Sequence, residues 1–319
     1  MKIIVTGSSG FIGYHLTQKL LELNHTVYGI DSINNYYDVK IKNNRTKELK
    51  KLKNFFFLKV DLKNKAKIEK YFKKIKINLI INLAAQAGVR YSITSPQKYF
   101  DNNILGFFNL IEFARKYNIK NIVSASSSSV YGENIKIPFN EKDRVDNLTQ
   151  FYAATKRSNE IIGKVYSKIY KMNFTFLRLF TVYGPWGRPD MAMVKFVTNI
   201  IKKKKIDVFN KGNHHRDFTY IDDIVDGIVK ACFKKKKHNY RIYNLGSGKK
   251  IALTKLINTI QSKLGLKAKI NLKKMQKGDV KNTLSDLTRS KKELNYNPRV
   301  KIEEGIDRYI KWYRKYYNI

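Results

Sequence analysis

The sequence predicts the α/β fold class: a doubly wound parallel sheet in the first part of the chain, then a smaller mixed α/β C-terminal domain. Short runs of β-branched and aromatic residues alternate with longer amphipathic runs through roughly the first 180 of the 319 residues. Beyond that point the strand-like runs are shorter and the alternation is less regular. Regular alternation of strands and helices is typical of parallel sheets that carry helices on both faces.

In the first part of the chain, apolar runs and helical periodicity predict six strands and four principal helices. The predicted strands are Lys2–Thr6, Thr26–Ile30, Phe55–Val60, Asn78–Asn82, Asn121–Ala125 and Phe174–Leu179. The predicted helices are Phe11–Leu23, Lys65–Lys74, Gln97–Tyr117 and Tyr152–Lys171. Strands joined through helices in this way are expected to run parallel.

The remainder of the chain predicts a smaller, mixed set of elements. The predicted strands there are Asp207–Asn210, Arg241–Leu245 and Lys269–Leu272, and the predicted helices are Met191–Lys203, Ile221–Phe233, Leu253–Leu264 and Glu303–Tyr317. We therefore divide the chain into a nucleotide-binding domain over residues 1–178 and a substrate domain over residues 179–319. Some elements of the two domains are expected to interleave, with the ligand between them.

The formal net charge of +39 raises the question of a nucleic-acid partner. The lysines are scattered in short runs, such as Lys202–Lys205 and Lys234–Lys237, and no RNA-binding signature or Cys/His finger spacing accompanies them. No apolar run approaches the ~18 residues that cross a bilayer. The single cysteine, Cys232, excludes internal disulfides. We expect a cytoplasmic protein with no nucleic-acid partner, no membrane contact and no metal ion.

A glycine-rich turn follows the first predicted strand directly. Gly7, Gly10 and Gly13 recur every third residue, and Phe11 and Ile12 open the next predicted helix. In a strand–turn–helix unit such glycines let the chain turn tightly, admit a pyrophosphate close to the backbone and bring helix and strand together. The N-terminus of the helix then faces the phosphates. These five residues therefore predict a Rossmann-type dinucleotide site.

Asp31 ends the second predicted strand, about twenty residues after the glycine turn. A carboxylate at this position binds the adenosine ribose hydroxyls and repels the additional phosphate of NADP. NAD is therefore the favoured cofactor, although Lys40 and Arg45 nearby leave NADP open.

Two further strand ends are assigned to the same cofactor. Asp61 and Leu62 follow the third predicted strand and are placed to reach the adenine. Ala84 and Ala85 follow the fourth strand, where small residues let the chain pass close to a bound cofactor.

A serine-rich strand end and a tyrosine–lysine pair supply the candidate chemistry. Tyr152 and Lys156 lie four residues apart on a predicted helix, and therefore on one face of it. A tyrosine with a pKa near ~10 is a poor base at neutral pH, but a neighbouring cation lowers that pKa. Ser127, Ser128 and Ser129 stand at the carboxyl end of a strand, where sheets of this class bind ligands. Together these residues predict removal of a hydroxyl proton coupled to hydride transfer to NAD⁺.

These motifs resemble those of the extended short-chain dehydrogenase/reductase superfamily, and the likeness covers essentially the whole chain. Within that superfamily, three segments look like those of the UDP-glucuronate 4-epimerases: Ala84–Ser92, Thr181–Ala192 and Arg216–Ile224. The second is the most specific, since it is long and unlike a generic turn. The resemblance implies an NAD-dependent isomerase that inverts C4 of a UDP-sugar through a 4-keto intermediate.

The resemblance also implies roles for individual residues. Tyr152 matches the general base, Lys156 its partner that also holds the nicotinamide ribose, and Ser127 the serine bonded to the reacting oxygen. Asn102 matches a residue near that serine and the cofactor, and Arg216 matches an arginine that binds the UDP diphosphate. The remaining implied substrate contacts are Ser128, Ser129, Thr181, Arg188 and Asp279, the last within the segment Lys277-Gly278-Asp279.

The two serines beside Ser127 bear on which reaction follows ketone formation. Related 4,6-dehydratases carry an Asp-Glu pair in place of Ser128 and Ser129, and related UDP-glucuronate decarboxylases carry a glutamate in place of Ser129. Neutral hydroxyls supply hydrogen bonds but little proton-transfer capacity, so plain epimerisation is favoured.

Several alternatives remain at this point. The substrate is expected to be UDP-glucuronate, with a neutral sugar such as UDP-glucose or UDP-N-acetylglucosamine as the second choice. A decarboxylase, a dehydratase and a non-enzymatic binding protein are less favoured. The resemblance further implies a homodimer through the helices Gln97–Tyr117 and Tyr152–Lys171, and a place in polysaccharide biosynthesis.

Overall fold

The structure is a computed structural model that describes residues 1–234, 238–276 and 278–319. Most of the lysine run 234–237 and Lys277 of the segment 277–279 therefore lie outside the described residues. The strands are β1 (Lys2–Thr6), β2 (Thr26–Asp31), β3 (Phe55–Lys59), β4 (Leu79–Asn82), β5 (Asn121–Ser127), β6 (Asn173–Leu179), β7 (Thr181–Tyr183), β8 (Lys205–Phe209), β9 (His215–Arg216), β10 (Phe218–Tyr220), β11 (Tyr240–Leu245), β12 (Ile251–Ala252) and β13 (Lys269–Lys273).

The helices alternate with these strands. They are α1 (Phe11–Glu22), α2 (Val39–Lys50), α3 (Lys65–Phe72), α4 (Tyr91–Thr94), α5 (Pro96–Tyr99), α6 (Gly106–Lys116), α7 (Phe151–Ile169), α8 (Ala192–Ile201), α9 (Ile221–Phe233), α10 (Leu253–Leu264), α11 (Thr288–Leu294) and α12 (Ile302–Tyr317). A π-helical turn at Phe100–Leu105 and a 3₁₀ turn at Ser128–Tyr131 complete the part of the fold that forms the site.

Seven described strands form the main sheet, in the order β11-β6-β5-β4-β1-β2-β3, and all of its neighbouring pairs are parallel. Strand β1 lies between β2 and β4, so the chain reverses its direction of winding between β3 and β4. Ligands bind doubly wound sheets beside the carboxyl ends of the strands at such a switch point. The predicted doubly wound sheet is confirmed.

Apolar clusters on the two faces of the sheet connect it to its helices. One cluster joins the sheet to α1, α8, α9, α10 and α12, and the other joins it to α3, α6 and α7. Strand β11 comes from the second half of the chain yet pairs with β6 in the main sheet. The division after residue 178 remains a prediction, and β6 itself continues to Leu179.

The predicted helix over Gln97–Tyr117 is confirmed as one helical segment from Pro96 to Lys116, although it is not α-helical throughout. The segment consists of α5, the π-helical turn and α6, with the turn between Phe100 and Leu105. Helix α2 was not predicted, because its sequence VKIKNNRTKELK is mostly polar and carries few apolar positions. No helix among residues 1–234, 238–276 and 278–319 is long and apolar enough to cross a membrane.

Candidate active site

The glycine turn brings helix α1 close to the end of β1. Gly7 adopts φ +72°, which favours glycine, and a Cβ atom there would lie 2.9 Å from the backbone nitrogen of Ala84. A Cβ atom on Gly13 would lie only 2.0 Å from the carbonyl oxygen of Gly7. Helix α1 begins at Phe11, so its N-terminal amides face the space above the turn. The turn therefore has the form that a bound pyrophosphate requires.

Asp31 stands at the carboxyl end of β2 beside this turn. Its carboxylate accepts hydrogen bonds from the backbone amides of Ser9, at 3.1 Å, and Ile33, at 2.8 Å. Burial raises the pKa of Asp31, while these amides and the nearby Lys42 favour its charged form. Lys42 donates to the backbone oxygen of Asn34 at 2.7 Å and to its side-chain oxygen at 2.6 Å.

Arg45, which the sequence left open as a contact to NADP, is fully buried. Its guanidinium donates to the carbonyl of Ser9 at 2.9 Å, to the hydroxyl of Tyr37 at 2.8 Å, and to the carbonyl of Trp186. Arg45 therefore joins the glycine turn to the loop before α8, and these bonds give it a structural role.

A cavity of about 390 Å³ opens at the carboxyl ends of the central strands. This volume is within the range of pockets that bind small molecules. Most of the predicted site residues line it: Gly7, Gly10, Phe11, Ile12, Gly13, Asp31, Asp61, Leu62, Ala84, Ala85, Asn102, Ser127, Ser128, Ser129, Tyr152, Lys156, Thr181 and Arg188. The structure thus brings together the candidate cofactor residues and the candidate catalytic residues in one cavity.

The catalytic candidates meet where α7 passes the end of β5. Tyr152 and Lys156 both lie on α7, with the lysine Nζ 5.9 Å from the centre of the tyrosine ring. Lys156 donates from Nζ to the carbonyl oxygen of Ala125 at 2.9 Å. The Ser127 hydroxyl donates to that of Ser129 at 3.1 Å and accepts from the Ser129 amide at the same distance.

Burial dominates the titration of both α7 residues. Burial raises the pKa of Tyr152, whereas a hydrogen bond with Ser127 and the positive charge of Arg188 lower it. Burial also lowers the pKa of Lys156 to about 8, opposed by the negative charge of Glu160. From the sequence we expected Lys156 to lower the pKa of Tyr152. In the structure, the groups of the chain that lower this pKa are Ser127 and Arg188.

Arg188 reaches the cavity from the loop between β7 and α8, and its guanidinium forms an ion pair with Asp190. Its Nε and Nη2 atoms donate to the two carboxylate oxygens of Asp190, at 3.0 and 2.7 Å. The Tyr36 hydroxyl donates to the same carboxylate at 3.3 Å. Gly88 makes room for Tyr36, since a Cβ atom on this glycine would lie 2.1 Å from the tyrosine oxygen.

A family model, the NAD dependent epimerase/dehydratase family, matches residues 3–246. The chain belongs to this family. Protein CapI of Staphylococcus aureus is 44% identical to it, over 99% of each chain. A probable UDP-glucuronate 4-epimerase of Rhizobium meliloti is 39% identical, over 99% of this chain and 98% of the relative. The crystal structure of the Bacillus cereus UDP-glucuronic acid 4-epimerase with UDP-glucuronic acid and NAD has a TM-score of 0.93 and 32% identity, over 99% of this chain and 100% of the other.

Two predicted substrate residues of this epimerase/dehydratase family member do not line the cavity. Arg216 and Asp279 bond to each other, at 2.9 Å, and Arg90 lies 3.5 Å from the same carboxylate. His214 is buried beside this pair, with its Nε2 atom 4.0 Å from the Asp279 carboxylate. The roles of Arg216 and Asp279 as substrate contacts remain predictions.

Sequence reasoning missed several residues of the site. Tyr36, Tyr37 and Lys42 line the cavity, but they lie in or near a loop whose path no motif indicated. Asp190 lies within the segment Thr181–Ala192, but no motif distinguishes it there; its position two residues after Arg188 is the signal that points to an ion pair.

Proposed function

We propose that the protein catalyses the NAD-dependent C4 epimerisation of UDP-glucuronate to UDP-galacturonate through a 4-keto intermediate. The observation that carries the proposal is the composition of the cavity beside α7. Tyr152, Lys156 and Ser127 supply the groups for oxidising a hydroxyl, and the neighbouring Ser128 and Ser129 add hydroxyls but no acid. The named relatives with the same fold support a UDP-glucuronate substrate.

The proposed reaction begins with proton removal from the C4 hydroxyl by the phenolate of Tyr152. The Ser127 hydroxyl bonds the same sugar oxygen and stabilises the charge that develops on it. Lys156 maintains a positive charge beside the tyrosine and is the candidate contact to the nicotinamide ribose. When bound along the glycine turn, NAD⁺ would supply the acceptor for the C4 hydride, and the reduced cofactor would return the hydride to the opposite face after the keto sugar has turned within the site. Tyr152 then returns the proton to the same C4 oxygen.

The cofactor is proposed to lie along the glycine turn and the ends of β2 to β4. Asp31 would bind the adenosine ribose, and Asp61 and Leu62 would contact the adenine. The close approach of Gly7 and Gly13 to neighbouring backbone atoms supports this assignment, because a larger side chain would disrupt the turn that receives the pyrophosphate.

A 4-keto uronate is prone to lose carbon dioxide, so the site has to hold the carboxylate away from that reaction. Ser128, Ser129 and Thr181 offer neutral hydroxyls, and Arg188 offers a charge partly balanced by Asp190. We propose that these groups bind the sugar carboxylate without supplying an acid to the adjacent carbons. This arrangement favours epimerisation over decarboxylation and 4,6-dehydration.

The deciding experiment incubates the purified protein separately with UDP-glucuronate, UDP-glucose and UDP-N-acetylglucosamine, and follows the anomeric proton signals by NMR. We expect UDP-glucuronate and UDP-galacturonate to equilibrate, and Tyr152→Phe to abolish this conversion. Equilibration of UDP-glucose without conversion of UDP-glucuronate would instead establish a neutral-sugar epimerase. Formation of a UDP-pentose with release of carbon dioxide would establish a decarboxylase.

We also propose a cytoplasmic homodimer, formed by α6 and α7 with their symmetry mates. Ile161, Val165 and Ile169 recur every four residues on α7, and all three are exposed, as is Phe108 on α6. An exposed apolar face of this kind is typical of an interface between subunits. Sedimentation equilibrium distinguishes the dimer from a 37.4 kDa monomer.

A further inference from the structure

Glu160 is a buried acid next to the catalytic candidates that the proposed mechanism does not use. It lies on α7 four residues after Lys156, and its side chain is 0% exposed. Arg178 of β6 donates from Nε and Nη2 to its two oxygens, at 3.0 and 2.9 Å. The Ser126 hydroxyl donates to it at 2.7 Å. Buried charged groups of this kind are costly unless each is fully paired, so a carboxylate here requires a physical reason.

Two side chains of α7 form hydrogen bonds with two consecutive residues of β5. Lys156 bonds the carbonyl of Ala125, and Glu160 bonds the hydroxyl of Ser126. The next residue along the strand is Ser127, whose hydroxyl has to meet the same substrate atom as that of Tyr152. A pair of bonds one helical turn apart fixes the helix against the strand end both along its axis and in rotation.

The charges around Glu160 determine how it acts on Lys156. Arg178 is the closest cation, and it also lies 4.8 Å from the centre of the Tyr131 ring. Arg157 contacts the carboxylate from α7 at 3.2 Å. Within the described part of the chain, the charge of Glu160 favours the charged form of Lys156 against the effect of burial.

We propose that Glu160 is a positioning residue for the reaction, fixing Lys156 and the Ser126–Ser127 strand end relative to Tyr152. Its negative charge, one helical turn from Lys156 on α7, also favours the charged form of that buried ammonium. The inference rests on the proposed function only in requiring an epimerisation that depends on Tyr152.

The test is the pH–rate profile of Glu160→Gln, with UDP-glucuronate as the substrate. The glutamine oxygen can still accept the bond from Ser126, but the negative charge is lost. A lysine is charged only below its pKa, and loss of the negative charge of Glu160 should lower the pKa of Lys156. We therefore expect the alkaline limb of the kcat profile to move to lower pH, by about one pH unit if the ionisation constant of Lys156 rises tenfold. An alkaline limb at the wild-type position would overturn the proposal.

Glu160→Gln leaves Arg178 buried without its partner, so the single variant could lose activity simply because it does not fold. A second variant separates these two causes. Combining Glu160→Gln with Arg178→Met removes both buried charges, and we expect the alkaline limb to move in the same direction. A folded double variant with an unmoved limb would refute the role of the carboxylate. If the wild-type protein does not convert UDP-glucuronate, the proposed function has failed, and the same profiles are measured with whichever UDP-sugar it does convert.

The positioning role is tested separately by Ser126→Ala, with Ser124→Ala as the matched control. Ser124 is also a buried serine of β5, but its hydroxyl accepts from Asn82 at 3.1 Å and not from α7. We expect Ser126→Ala to lower kcat about tenfold or more with little change in KM, and Ser124→Ala to leave both within about twofold. Equal effects of the two substitutions would contradict the proposal.

Discussion

Replacing Lys156 with methionine is expected to stabilise the folded protein while abolishing epimerisation. The lysine side chain is 3% exposed and donates to the carbonyl of Ala125 at 2.9 Å. Burial lowers its pKa from 10.5 to about 8, which corresponds to about 3 kcal/mol of unfavourable free energy for the charged form. Loss of the charged hydrogen bond to Ala125 costs about 1.5–3 kcal/mol. The net stabilisation at pH 7 is therefore small, at most about 1.5 kcal/mol.

This gain should depend on pH with a definite sign. The pKa of Lys156 is lower in the folded state than in the unfolded chain, so the unfolded chain binds more protons between pH of about 8 and 10.5. The stability of the wild-type protein therefore gains from this residue as the pH rises through that window. At pH of about 10 the wild-type lysine is neutral in the folded state. The methionine variant should therefore no longer exceed the wild type in free energy of unfolding at that pH.

The assay is urea unfolding of both proteins at pH 7 and pH 10, after removal of bound dinucleotide, because a ligand stabilises the state that binds it. Lys195→Met is the control, since Lys195 is an exposed helical lysine on α8, away from the proposed dimer helices α6 and α7. Its effect should stay within about 0.5 kcal/mol. A Lys156→Met protein that is less stable than the wild type at pH 7 would refute the reasoning.

Three further substitutions address the cofactor turn, the fate of the ketone and the charge of the site. Gly13→Ala places a Cβ atom 2.0 Å from the carbonyl oxygen of Gly7, and this overpacking of about 1–3 kcal/mol should weaken NAD binding about 10- to 100-fold by calorimetry. Ser129→Glu should add a decarboxylated UDP-sugar to the products, detected by mass spectrometry. Asp190→Asn removes the carboxylate that balances Arg188, whose charge lowers the pKa of Tyr152. The acidic limb of the pH–rate profile should therefore move to lower pH, by about one unit at most.

Each of these expectations has an outcome that contradicts it. Gly265→Ala is the control for the glycine turn, because Gly265 does not line the cavity and a Cβ atom there would meet nothing within 4 Å. Equal NAD affinity of the Gly13 and Gly265 variants would show that packing at the glycine turn does not determine NAD binding. Unchanged epimerisation by Ser129→Glu, with no decarboxylated product, would remove Ser129 from the carboxylate site. An acidic limb of Asp190→Asn that moves upward would mean that Arg188 does not act on Tyr152 by its charge.

The sequence was sufficient for those features that depend on local chemistry. Strands β1 and β4 are nearly continuous apolar runs because both of their faces are covered, and the glycine spacing is required by a turn that brings backbone atoms within contact. Tyr152, Lys156 and Ser127 were found because a helix repeat and a strand end place them predictably. These residues do line one cavity.

The features that sequence reasoning missed depend on contacts between distant segments. Arg45 looks like a surface cation in sequence, but bonds to Ser9 and Trp186 bury it. Arg216 and Asp279 are 63 residues apart, and their pairing outside the cavity follows from the packing of β9 against a later loop with which it shares no motif. The π-helical turn before α6 has a helical sequence pattern, so the extra residue per turn left no local signal.

Strand β11 is synthesised well after β6, the strand with which it pairs, and this delay affects folding during synthesis. Strand β6 is almost wholly buried in the finished sheet, yet roughly 60 residues separate its end at Leu179 from the start of β11 at Tyr240. At about 5–20 residues per second, a ribosome needs about 3–12 seconds to bridge this interval. During that time the nascent sheet presents β6 as an open apolar edge, which is the kind of surface that pairs with other chains. The emerging polypeptide is therefore most exposed to aggregation, and to chaperone capture, just before its last sheet strand leaves the exit tunnel.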